Sequence, residues 1–189
     1  MLKSKPLLLF LLMLLAALVL SGAECEPEEE EGPEVDEAAL VAINDYTEEM
    51  TAALPEVKID LQSWSKEPHA EDDPPFSYDE KSREWLSEHK VKLQEIRARH
   101  LDTAFPDEKE IASWDVIIIR GEEEWQLDGE KWLAALERLE DLVDEVIGVI
   151  TMVNAEKGEL DMEQSERVLE LIEVIEPEIK AVRSVIFRT

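Results

Sequence analysis

From Asp128 to Ile186 the chain reads DGEKWLAALERLEDLVDEVIGVITMVNAEKGELDMEQSERVLELIEVIEPEIKAVRSVI, and this stretch decides the fold. Trp132, Leu136, Leu139, Val143, Val146, Ile150 and Val153 repeat strictly by four and three, which places them on one face of a helix. Glu140 lies off that stripe. Asp128 is a suitable cap for the start, and Gly158 is expected at the end as a left-handed C-terminal residue. Asp161 with Gln164 then forms a capping pattern that starts a second helix, whose stripe is Val168, Ile172, Ile175, Ile179, Val182 and Ile186. Pro177 is expected to bend it. Lys180, Arg183 and Arg188 gather near its end, where a helix favours cations. So short a connection between two long helices makes them antiparallel neighbours.

Two further stripes precede this pair. Ala39, Ile43, Tyr46, Met50, Leu54, Val57, Leu61 and Trp64 keep helical spacing through Pro55, which predicts a long helix kinked or interrupted there. The alternation of Val57, Ile59 and Leu61 would instead suit a short strand; the helix accounts for more of the pattern. Residues 65–76 hold three prolines and a run of acids, and read as a loop. Ser77-Tyr-Asp-Glu80 is a capping box that opens the next helix, with the stripe Tyr78, Ser82, Trp85, His89, Leu93, Ile96 and His100. Residues 107–127 conflict. Ile111, Trp114, Ile118 and Trp125 keep helical spacing, whereas Val116 to Ile119 is a β-branched run followed by Gly121, which suits a hairpin. The reading preferred is a short helix followed by a loop. Together the stripes predict an all-α, up-and-down bundle of about four long helices over residues 35–189.

The start of the chain has a different character. Lys3 and Lys5 precede an unbroken apolar run from Leu7 to Leu20, followed by the small residues Ser21, Gly22 and Ala23. This is the three-part build of a secretory signal over residues 1–23, and it predicts export to the periplasm or the extracellular side. Ser21 to Ala23 suits cleavage before Glu24. Alternatively Cys25, the one cysteine in the chain, resembles the lipid-modified cysteine of bacterial lipoproteins, although Glu24 stands where that pattern wants a small residue. The membrane is then met only through the signal or a lipid anchor at Cys25. A single cysteine also excludes an internal disulfide. Nine of the fourteen residues from Glu24 to Glu37 are acidic, and residues 24–34 read as a disordered spacer. Such a flexible polyanion holds divalent ions weakly and without geometry.

The 189 residues carry 47 acids against 19 bases, a formal charge of -28. Loss of Lys3 and Lys5 with the signal leaves -30. A surface so negative excludes binding to a phosphate backbone, so nucleic acid is no partner. The helix expected from Ser77 to near Phe105-Pro106 differs: Lys81, Arg83, Lys90, Lys92, Arg97 and Arg99 balance its acids and lower the repulsion in a compact bundle.

The motifs exclude more than they assign. No His has a Glu three positions before it, so the paired Glu-x-x-His of di-iron bundles is missing. One cysteine rules out covalent c-type haem and cysteine-rich zinc sites. The turn from Asn154 fails as a calcium loop because Gly158 is fifth and Ser165 stands at the twelfth place. His89 and His100 share a stripe but sit about 16 Å apart at 1.5 Å per residue, too far to share one ion. Each is a candidate to pair with a carboxylate of a neighbouring helix, or to hold a ligand or metal with it. Trp64, Trp85 and Trp132 occupy core positions, which leaves Trp114 and Trp125 as the candidate partner contacts. No catalytic constellation and no cofactor motif is spelled out. Two functional readings follow: a non-catalytic envelope bundle that binds another protein, and a periplasmic bundle that binds a small ligand or metal ion through core histidines and carboxylates.

Overall fold

A computed structural model describes residues 35–65, 76, 78–120, 123–156 and 159–186. Every described element belongs to one compact unit, Pro33–Thr189. The signal segment, Cys25, the acidic spacer and Gly158 lie outside the described residues.

The fold is mostly helical with little strand. In chain order the elements are α1 (Glu37–Trp64), α2 (Glu80–Ala104), α3 (Glu108–Ala112), β1 (Asp115–Arg120), β2 (Glu123–Asp128), α4 (Gly129–Ala155) and α5 (Met162–Ile186). The long helices pack α1 on α2, α2 on α4, α4 on α5 and α5 on α1. Cross-links run in reverse order along each pair. Glu49 meets Arg99, Glu56 meets Lys92 and Asp60 meets His89 between α1 and α2. Arg138 meets Glu178 and Glu145 meets Arg167 between α4 and α5.

All seven positions of the α4 stripe and all six of the α5 stripe are buried. Strict four-three spacing gives each helix one apolar face, and burying that face is what holds a helix whose other side is charged. Asp161 and Gln164 complete the expected capping box: Asp161 N–H donates to Gln164 Oε1 at 3.0 Å, and Gln164 N–H to Asp161 Oδ1 at 2.8 Å. Helix α1 continues through Pro55, with Val57 and Leu61 buried and Ile59 turned outward, as helical rather than alternating geometry requires.

Three expectations need correction. First, α2 begins at Glu80 with Asp79 as its cap, whose Oδ1 accepts from the Ser82 N–H at 2.7 Å and the Ser82 hydroxyl at 2.6 Å. Ser77 lies outside the described residues. Second, Leu86 fills the core in place of Trp85, while Tyr78, Ser82, Leu93 and Ile96 of the predicted stripe are buried as expected. Third, the chain after α3 forms an antiparallel hairpin, not a loop. Val116 to Ile119 loses too much side-chain freedom in a helix and extends. Ile118 and Trp125, seven apart as on a helix, are direct cross-strand partners.

The hairpin is joined to α4 by a close approach. Gly129 N–H donates to the Trp114 carbonyl at 2.6 Å, and a Cβ on Gly129 would stand 1.8 Å from the Ile111 carbonyl oxygen. Glycine is required there by space.

Candidate functional site

The histidines and the exposed tryptophan converge on the α1–α2 seam. Antiparallel packing brings each histidine of α2 onto an acid of α1. His89 Nε2 lies 2.6 Å from Asp60 Oδ2, and His100 Nε2 lies 3.2 Å from Glu49 Oε1. Both rings are largely covered, with side-chain exposures of 15% and 13%. The His100 ring also meets Tyr46 edge-on at 6.1 Å between centroids.

Two cations of α2 also reach acids of α1, one of them Glu49 of the His100 pair. Arg99 donates to both oxygens of Glu49, at 3.1 and 2.9 Å. Lys92 donates to Glu56 at 2.6 Å, and this bond holds the Glu56 carboxyl below its ordinary range against a smaller desolvation effect. A positively charged neighbour competes with a divalent ion for the same carboxylates. Among the described residues no group of three His, Cys, Asp or Glu side chains is placed to hold a metal ion. The seam holds the two histidine–carboxylate pairs together with the Arg99–Glu49 and Lys92–Glu56 ion pairs, each joining α1 to α2.

The opposite side of α2 faces α4. Arg97 reaches Glu140 at 2.7 Å and Asp144 at 2.8 Å, and Lys90 donates to Thr151 at 2.9 Å. Glu140 is thus a half-buried seam residue, not the bystander its place off the α4 stripe suggests. Burial raises its carboxyl to about 7, with the charges of Asp144 and Asp141 adding to the rise. Arg97 opposes that rise, but its guanidinium is shared with Asp144.

At the Trp64 end of the seam the aromatic side chains gather. Trp64 meets Tyr78 at 5.6 Å and Trp85 at 6.4 Å, and Phe76 stacks on Tyr78 at 6.0 Å. Burial pushes the Tyr78 phenol well above its usual range. Trp85 is 40% exposed, with Lys81 Nζ 4.7 Å above its ring. Trp114, by contrast, is 1% exposed and packs edge-on against Trp132 at 6.5 Å. Its burial removes it from the candidate partner contacts. The side chain of Trp125 lies outside the described residues. In the sequence Trp85 stands beside Leu86 on a sparsely apolar helix, so spacing alone does not decide which of the two turns inward.

Among the described residues no helix is long and apolar enough to cross a membrane. Comparison with protein-family models, with curated proteins and with solved structures gives no match.

Proposed function

We propose that this chain is an exported, acidic, non-catalytic protein of the cell envelope that binds another protein. In this reading residues 1–23 are removed as a signal, residues 24–34 are a spacer, and residues 35–189 form a four-helix, up-and-down bundle. The spacer ends free or tethered through a lipid on Cys25. The reading of export rests on Lys3, Lys5, the Leu7 to Leu20 run and the small residues that follow.

The observation that carries the partner reading is the half-exposed Trp85. It lies on Trp64 beneath the Lys81 ammonium, and a rigid aromatic held at the surface is the side chain most enriched at interface hot spots. Native mass spectrometry of the protein taken from its own envelope tests it. The expected result is a complex with a second polypeptide that is lost in Trp85→Ala while helix content is kept. A wild-type chain that flies alone, or one that carries a metal ion or small ligand, would count against protein binding.

A further inference from the structure

We infer that α2 is the long helix whose seat depends most on charge, and that its release from α1 and α4 is the mode by which this bundle opens. Among the described residues only Leu86, Leu93 and Ile96 of α2 are buried apolar side chains, whereas α4 buries ten. A helix with so little apolar burial gains correspondingly little from leaving water. What α2 has instead is complementary charge. It carries six Lys and Arg against five acids, while α1 and α4 each carry six acids and no more than two bases.

The charged contacts line both of its seams. Lys92 and Arg99 reach Glu56 and Glu49 of α1, and Arg97 reaches Glu140 and Asp144 of α4. His89 and His100 add hydrogen bonds to Asp60 and Glu49. Helix α5 also lies between α1 and α4 and has ion pairs of its own, Glu176 with Lys58, Glu178 with Arg138 and Arg167 with Glu145, but it carries six acids against three bases and adds a full buried apolar stripe to them. The two helices that separate α1 from α4 thus differ in the balance of apolar and charged contacts that attach them.

Salt separates these forces by sign. Screening shortens the reach of charges from about 10 Å at 0.1 M to about 3 Å at 1 M. For the acidic bundle as a whole this relieves self-repulsion and stabilises. For α2 it weakens the attraction that seats the helix. Opening of α2 then bares the apolar faces of α1 and α4 without unfolding α4 or α5.

Hydrogen exchange of the full chain at pH 7, in 0.02 M and in 0.5 M NaCl, followed by peptide mass spectrometry, tests this. Peptides from α2 are expected to exchange faster than those from α4 at both salts, and to accelerate by roughly tenfold at the higher one, while α4 and α5 slow or stay unchanged. The half-exposed pair allows a mild variant: Lys92→Gln should speed α2 exchange in low salt and blunt its salt response, with α4 unaffected. Equal protection of all four long helices, or an α2 that gains protection with salt in step with α4, would overturn the inference.

Discussion

Replacing Gly129 with alanine adds one methyl group where the structure has no room for it. The Cβ would lie 1.8 Å from the Ile111 carbonyl oxygen, 2.8 Å from that of Trp114 and 2.9 Å from the Trp114 nitrogen, all backbone atoms that no rotamer change can move aside. Separation to 3.0 Å, the least that a Cβ contact tolerates, requires the α3–hairpin junction to move by about 1.2 Å from the start of α4. That shift breaks the 2.6 Å bond from Gly129 N–H to Trp114 O and loosens the buried side chains of Ile111 and Trp114. Overpacking costs about 1–3 kcal/mol and an orphaned buried backbone group a further ~1–3 kcal/mol, so a loss of about 3 kcal/mol is expected. This is a large part of the ~5–15 kcal/mol that holds a domain. Urea unfolding at 25 °C, followed by tryptophan fluorescence, measures it. Gly148→Ala is the control. Its nearest neighbour is the guanidinium end of the Arg167 side chain at 3.4 Å, and alanine inside a helix should be neutral or stabilising by ~0.5–1 kcal/mol. A Gly129→Ala midpoint equal to that of the wild type, with an unchanged slope, would refute the close approach and the position of α3 with it.

Other perturbations address the core, the caps and the α2–α4 seam. Val146→Asp puts an unpaired charge at the centre of the α4 stripe and should cost several kcal/mol and remove cooperative unfolding, whereas Glu137→Ala on the exposed face should leave the melt within about 0.5 kcal/mol; equal effects would mean a different buried face. Asp161→Ala removes one half of the capping box and should lower stability by ~1 kcal/mol in a chemical melt, a loss that Asp161→Asn largely restores. Glu140, raised in the folded state, contributes stability below its ordinary carboxyl range near 4.5 and loses it as pH rises through about 7. Glu140→Gln should therefore flatten the fall in stability between pH 4.5 and 7 and be more stable than the wild type at pH 8 by ~1 kcal/mol, the effect of burial being offset in part by Arg97 and by solvent. A variant less stable than wild type at pH 8 would show that the Arg97 ion pair outweighs desolvation.

The parts of the fold that could be read from the sequence are those in which one force dominates. In α4 and α5 the apolar stripes are dense, so a face is fixed by many residues at once, and the short Asp161–Gln164 box is local chemistry. In α2 the stripe places Ser82, Leu93 and Ile96 correctly, but with few apolar side chains among its described residues the choice between Trp85 and Leu86 depends on the neighbours that α1 supplies. The hairpin was obscured because Ile111, Trp114, Ile118 and Trp125 happen to keep helical spacing while four β-branched residues prefer extension. Pairing across the turn decided it. Gly129 follows a capping aspartate and reads as ordinary turn chemistry; the need for glycine comes from α3, which the sequence does not bring near. The histidine pairs follow from the abundance of acids on α1, but which acid each histidine meets is set by the antiparallel register.

Export underlies the whole functional reading, and the N-terminus of the chain made by its own cells tests it most directly. Intact-mass measurement and peptide mapping of the protein from separated cytosolic and envelope fractions should find it outside the cytosol without residues 1–23. The mature chain should begin at Glu24 as a free peptide, or at Cys25 carrying a lipid that Cys25→Ser removes. A chain that retains Met1 to Ala23 and stays in the cytosol would contradict the account.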